Sequence, residues 1–284
     1  MDKTEYYELC KIPAVTSEFN TEIIFETCHD DSHLSPIDLF ILNTKELNKI
    51  VSNEYTPALG NLILLGYISA TESYLRTLIR RLILVDEYSQ TIIAEKNVSY
   101  AAAYHHSKEL LPEALLENYS FANPYNIFNT LKDIIGIKKN IPSYLMSVSK
   151  EFFKICELRH CCVHRFGKLG SKNAVKLGMD KHSCYLEKPI SLKKEHVDEL
   201  ANIVTNFVKA VNNYVYESIL DRIKKNKNNE KKGEKFYKDD LTWNFNKDKK
   251  RFKKYYDIFS TLEDTYPSMS IKEAYNKFRE NPSD

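Results

Sequence analysis

The sequence predicts a mostly α-helical protein: an antiparallel helical bundle with short irregular or β segments and a basic helical C-terminal extension. Three observations carry that reading. Seven glycines in 284 residues are too few for a turn-rich all-β fold. Apolar residues recur at helical spacing, most clearly from Pro57 to Tyr88, where Leu62, Leu65, Ile68, Leu75, Leu78, Ile79 and Leu82 share a face. Two segments open with a hydroxyl N-cap followed by proline, Ser35-Pro36 and Thr56-Pro57.

Taken in order, residues 1–34 form an N-terminal arm. Its β-branched run Thr21 to Thr27 reads as a short strand or an extended segment. Residues 35–223 form the bundle. A first helix follows Ser35, and the second, Pro57 to Tyr88, is expected to be the longest and the most central. A third spans 99–118, kinked or divided at Pro112. The pair His105-His106 within it reads as solvated. Asn123-Pro124 marks a loop, and Tyr125 to Ile137 is a shorter helix. Ile141-Pro142-Ser143 opens the next helix, with Leu145, Val148, Phe152, Ile155, Cys156 and Val163 on its buried face. An irregular stretch, 168–173, and two short strands, 183–186 and 189–192, precede a last core helix from Lys193 to about Lys225. Residues 224–284 form the basic extension. Within it, Lys224 to Gly233 reads as an exposed linker, and a final short helix spans Ser270 to Arg279.

The net charge is only +2, but the segment Asp221 to Tyr255 carries 14 Lys and Arg against 6 Asp and Glu. A block of that sign invites an anionic partner. Aromatic residues interleave with its lysines: Phe236, Tyr237, Trp243, Phe245, Phe252, Tyr255, Tyr256 and Phe259. They suit base stacking beside phosphate-binding lysines, and equally a helical cap packed on the core. No run of apolar residues is long enough to span a membrane. The polar N-terminus predicts no secretory leader, and the six scattered cysteines suit reduced thiols in a cytoplasmic protein.

Reactive side chains concentrate in one stretch, Glu157 to Gly167, which holds Arg159, His160, Cys161, Cys162 and His164. Residues four apart on a helix share a face, so His160 and His164 form a pair. Arg159 lies about 7–8 Å from His164 along the axis. An arginine offers a permanently charged planar fork suited to phosphate. A histidine gives or takes a proton near neutrality. Gly167 marks the expected helix stop, which places His164 near the negative end of the macrodipole. Lys168 and Lys172 follow and read as phosphate contacts or as solvated loop lysines. Of the cysteines here, Cys156 and Cys162 read as core residues and Cys161 as partly exposed. Two blander readings stand beside the catalytic one. The cluster reads as ordinary polar residues on a wet helix face, or as a zinc half-site, although adjacent cysteines point about 100° apart and cannot share an ion.

The arrangement Arg159-His160-x-x-x-His164, late in an amphipathic helix, resembles the signature of the HEPN superfamily in its ribonuclease form. The resemblance implies a four- or five-helix bundle that dimerises through the motif helices. It implies RNA cleavage that needs no metal and no cofactor, leaving a 2′,3′-cyclic phosphate and a 5′-OH. It also implies a toxin or antiphage-defence role and an inhibitory or antitoxin partner. Arg159, His160 and His164 are the catalytic candidates. Glu72 on the preceding long helix joins them, because such proteins often place an acidic or polar residue near the motif arginine. Its other reading is a surface partner of Arg76. One toxin branch carries a tyrosine two residues after the second motif position, and Phe166 stands there without the hydroxyl. A non-catalytic helical RNA- or protein-binding module is the alternative.

Overall fold

Several helices in this chain start where a side chain takes an orphan amide. The computed structural model describes residues 17–51, 55–229 and 241–280. Ser35 Oγ accepts from the Asp38 amide and opens α1, Pro36–Val51. Thr56 does the same through the Leu59 amide and opens α2, Pro57–Val85. The Asp86 carboxylate takes the Ser89 amide and starts α3, Glu87–Ile93. That cap divides the single helix expected through Tyr88, because the carboxylate competes for amides a continuous helix would use.

The expected 99–118 helix is two short ones, α4 at Tyr100–His105 and α5 at Leu111–Leu115, with Pro112 in the first turn of α5. α6, Pro124–Thr130, continues into a π-helical turn, Leu131–Ile135. Gly136 ends it at φ 72°, where a Cβ would also collide with Ile92 and Tyr88. Next come α7 (Ser143–Arg165), α8 (Ser171–Leu177), α9 (Met179–His182) and α10 (Lys194–Asn229). α11 (Phe245–Phe259) and α12 (Ile271–Glu280) complete the order. Ser270 and Glu273 form a reciprocal capping box at the start of α12.

Several expectations are corrected. The longest helix is α10, with 36 residues against 29 in α2. Its last turns take in Lys224 to Asn229, the first part of the expected linker. The rest of that linker, with Cys10, Phe236 and Tyr237, lies outside the described residues. Residues 171–173 open α8 rather than extending a loop. Among the described residues no strand forms at 21–27, 183–186 or 189–192. Glu22–Ile24 and Ser183–Tyr185 are single 3-10 turns, and Lys168 and Pro189 make one isolated bridge. A lone strand has no second edge to pair with, so β propensity there is spent on turns.

The chain divides into two compact units, Met1–His33 and Leu34–Asp284. In the first, Phe19, Ile23, Ile24 and Phe25 are all exposed. In the second, α10 packs against α7, α2 and α1, and the Phe152 and Phe207 rings stack in parallel at 4.0 Å between α7 and α10. α11 rests on α2, α1 and α10, with α12 against it. Phe252, Tyr255, Phe259, Tyr275 and Phe278 are buried in this seam. Of the two uses open to Phe252, Tyr255 and Phe259, the structure shows the cap on the core, since their apolar area is worth more against α2 and α10 than in water. Among the described residues no helix is long and apolar enough to cross a membrane.

Candidate active site

α7 brings the motif to the surface at its C-terminal end. Leu145, Phe152, Ile155 and Cys156 face the core, whereas Val163, expected with them, is exposed, because the helix repeat turns the last two turns partly outward. Arg159 and His160 are half-buried and His164 is exposed. The two imidazole rings lie 6.0 Å apart, inclined by 14°. Among the described residues, no hydrogen bond or ion pair occupies Arg159, His160 or His164.

The helix stops one residue earlier than expected. Phe166 takes the left-handed conformation at φ 52° and Gly167 follows at φ 86°, both amides turning back to the Cys161 carbonyl. Phe166 is 93% exposed. A bulky residue in that region is strained, and no burial compensates it. Gly167 is hemmed in by Asn61 of α2, whose Oδ1 is buried with no hydrogen-bond partner. Arg165 pairs with Glu187. Sequence reasoning missed Asn61, because an isolated Asn on a helix carries no spacing signal.

Glu157, one turn before His160, is fully buried. Lys176 Nζ donates to Oε1 at 2.9 Å and Asn173 Nδ2 donates to Oε2 at 2.8 Å, both from α8. Burial holds the His160 imidazole below its ordinary 6.5. Glu157 pulls the other way, and Arg159, Lys176 and His164 add to the depression. The neutral ring is thereby favoured.

The same α8 contact corrects one cysteine. Cys161 is fully buried, not partly exposed, because Leu169 and Ala174 fold over it. Burial raises all three thiols of α7, with Cys162 at about 11. They are poor nucleophiles and poor metal ligands in that state. Cys156 is core as expected, and Cys162 packs partly buried against the core.

Glu72 is half-buried on α2. It forms neither the pair with Arg159 nor the one with Arg76, whose NH1 instead donates to Glu113 Oε1 at 2.9 Å. Glu113 wins because α5 folds back across α2. Glu72 and Arg159 nevertheless lie near one another's helix: both influence the Cys156 thiol, Glu72 raising and Arg159 lowering it. Lys168 and Lys172 are exposed, as are His105 and Lys108 of the α4–α5 region. The chain matches no protein-family model, no curated protein and no solved structure.

Proposed function

We propose that this protein is an endoribonuclease that cleaves RNA by attack of the ribose 2′-OH on the adjacent phosphorus, with no metal required. The observation that carries this reading is the set Arg159, His160 and His164 at one helix end, in contact with solvent and, among the described residues, without a side-chain hydrogen bond or ion pair. His160, favoured neutral, takes the proton of the 2′-OH. The 2′-oxygen bonds to phosphorus and the bond to the 5′-oxygen breaks. His164 gives a proton to that leaving oxygen. Arg159 neutralises the charge that builds on the non-bridging oxygens. A 2′,3′-cyclic phosphate and a 5′-OH result. Two imidazoles 6.0 Å apart can flank one phosphate.

A homodimer through the α7 ends, a cytoplasmic location and a toxin or antiphage-defence role under an inhibitory partner complete the proposal. The exposed Val163 and Phe166 beside the motif suit such a contact. Wild type is expected to cut single-stranded RNA in EDTA and to leave cyclic phosphate ends, and His164→Ala to lose the activity about 10²–10⁴-fold. Equal cutting by the two proteins removes His164 from the chemistry.

One observation favours the non-catalytic alternative. α11 turns Lys247, Lys249, Lys250, Lys253 and Lys254 to solvent while its aromatics face inward. That face suits an RNA backbone without any cleavage. Reversing Lys247, Lys250 and Lys254 to Glu separates the readings: a pure binder loses RNA, whereas the nuclease keeps cutting short substrates.

A further inference from the structure

α2 carries a second polar feature that the motif does not use. Ser69, Ser73 and Thr77 recur at every fourth residue, and Glu72, Arg76 and Arg80 recur beside them at the same interval. Both rows line a cleft of about 370 Å³, closed on its far side by Glu113. No hydrocarbon side chain lines it, so an apolar ligand has nothing to bury there.

The two arginines differ in their commitments. Arg76 is held by Glu113, by the Tyr119 carbonyl and by the Phe121 ring, whose centroid is 5.4 Å from the guanidinium carbon. Arg80 is half-buried, and among the described residues it has no ion-pair or hydrogen-bond partner. Glu72 and Glu113 line the same cleft, but neither bonds Arg80, whose planar fork is left to fit two oxygens of a phosphate. The neighbouring hydroxyls of Ser73 and Thr77 add donors that form no side-chain hydrogen bond among the described residues.

The cleft lies on α2, which packs against the motif helix α7. α2 and α7 run antiparallel: Gly167 lies against Asn61, and the Cys156 thiol senses Glu72. By that register Arg159, three residues beyond Cys156, falls level with Ser69 along α2, and Arg80 lies at the far end of the cleft. Each four-residue step along α2 advances about 6 Å, comparable with the spacing of successive phosphates on an extended strand.

We propose that the α2 cleft is a phosphate subsite for single-stranded RNA, in which Arg80 grips a backbone phosphate a few nucleotides from the bond at Arg159, His160 and His164. The inference rests on the ribonuclease reading for its substrate, but it is a claim about binding. It makes RNA affinity depend on length: a dinucleotide reaches the motif alone, and an octanucleotide reaches both places.

The test uses the full chain carrying His164→Ala, with fluorescein-labelled dinucleotide and octanucleotide RNA followed by anisotropy across a salt series. Adding Arg80→Gln is expected to weaken the octanucleotide about tenfold and to reduce its salt slope by about one ion, while dinucleotide affinity stays within about twofold. Arg80→Lys, which keeps the charge, is expected to recover most of the slope. Circular dichroism melting shows whether each variant is folded. Octanucleotide binding that ignores Arg80→Gln overturns the subsite even where wild type cuts RNA. Absence of octanucleotide binding overturns it as well. Arg80-dependent binding by a wild type that cuts nothing retires the nuclease reading and leaves the subsite standing.

Discussion

Two polar regions of this molecule are built in opposite ways. Where the C-terminal cap meets the bundle, every buried carboxylate is saturated. Asp86 accepts from the Ser89 amide and hydroxyl, from Arg222 at 2.6 Å and from Tyr255 at 3.2 Å. Asp38 accepts from Thr261 and from the amides of Leu262 and Glu263. Asp248 accepts from Thr242 and Tyr275. Burial raises the Asp248 carboxyl, but those bonds outweigh it and hold it below its ordinary 3.8. At the end of α7, by contrast, Arg159, His160 and His164 are unspent and Asn61 Oδ1 is orphaned. Fully bonded groups hold a fold; unbonded ones that reach solvent are available to a ligand, and only a buried one, such as Asn61 Oδ1, costs stability. The difference teaches where to look for function.

The largest expected effect breaks the saturated side. Asp86→Ala removes the acceptor for Arg222, which is 17% exposed and has the Tyr88 ring 4.3 Å from its guanidinium carbon. Stranding that cation is expected to cost about 3–5 kcal/mol in urea unfolding. A loss below about 1 kcal/mol makes the seam incidental. The opposite side should respond in the opposite way. Arg159→Ala is expected to lower RNA cleavage about 10²–10³-fold while unfolding free energy moves by less than about 1 kcal/mol. A large stability loss with unchanged cleavage turns Arg159 into a structural residue.

A smaller effect lies in pH. The folded His160 binds its proton less readily than the unfolded chain does, so its neutral form is favoured at neutrality and is lost as pH falls through a value below 6.5. The acidic limb of kcat/KM is expected below that point, and NMR titration of the ring should follow it. By the same sign, the stability His160 contributes is full above 6.5 and declines as the solution is acidified. A midpoint above 6.5 contradicts the assignment of His160 as base. The smallest effect concerns strain. Phe166→Gly relieves a left-handed conformation that glycine adopts freely, and is expected to stabilise the fold by about 1 kcal/mol in thermal melting.

The sequence by itself determined the helical class, the hydroxyl-and-proline openings of α1 and α2, and the position of the motif at the end of α7. These follow from local periodicity and caps, which need no distant partner. It did not separate stacking aromatics from a cap around Phe252 and Tyr255, because both uses need the same alternation of rings and lysines. Only their contact with α2 and α10 decides between them. Nor did it reveal that Cys161 is covered, that Arg76 turns to Glu113, or that Arg80 on the same helix has no bonded partner among the described residues. Each depends on which short helix folds back across a long one, α8 over α7 and α5 over α2. Spacing along one helix says which residues share a face, and tertiary packing says what that face meets.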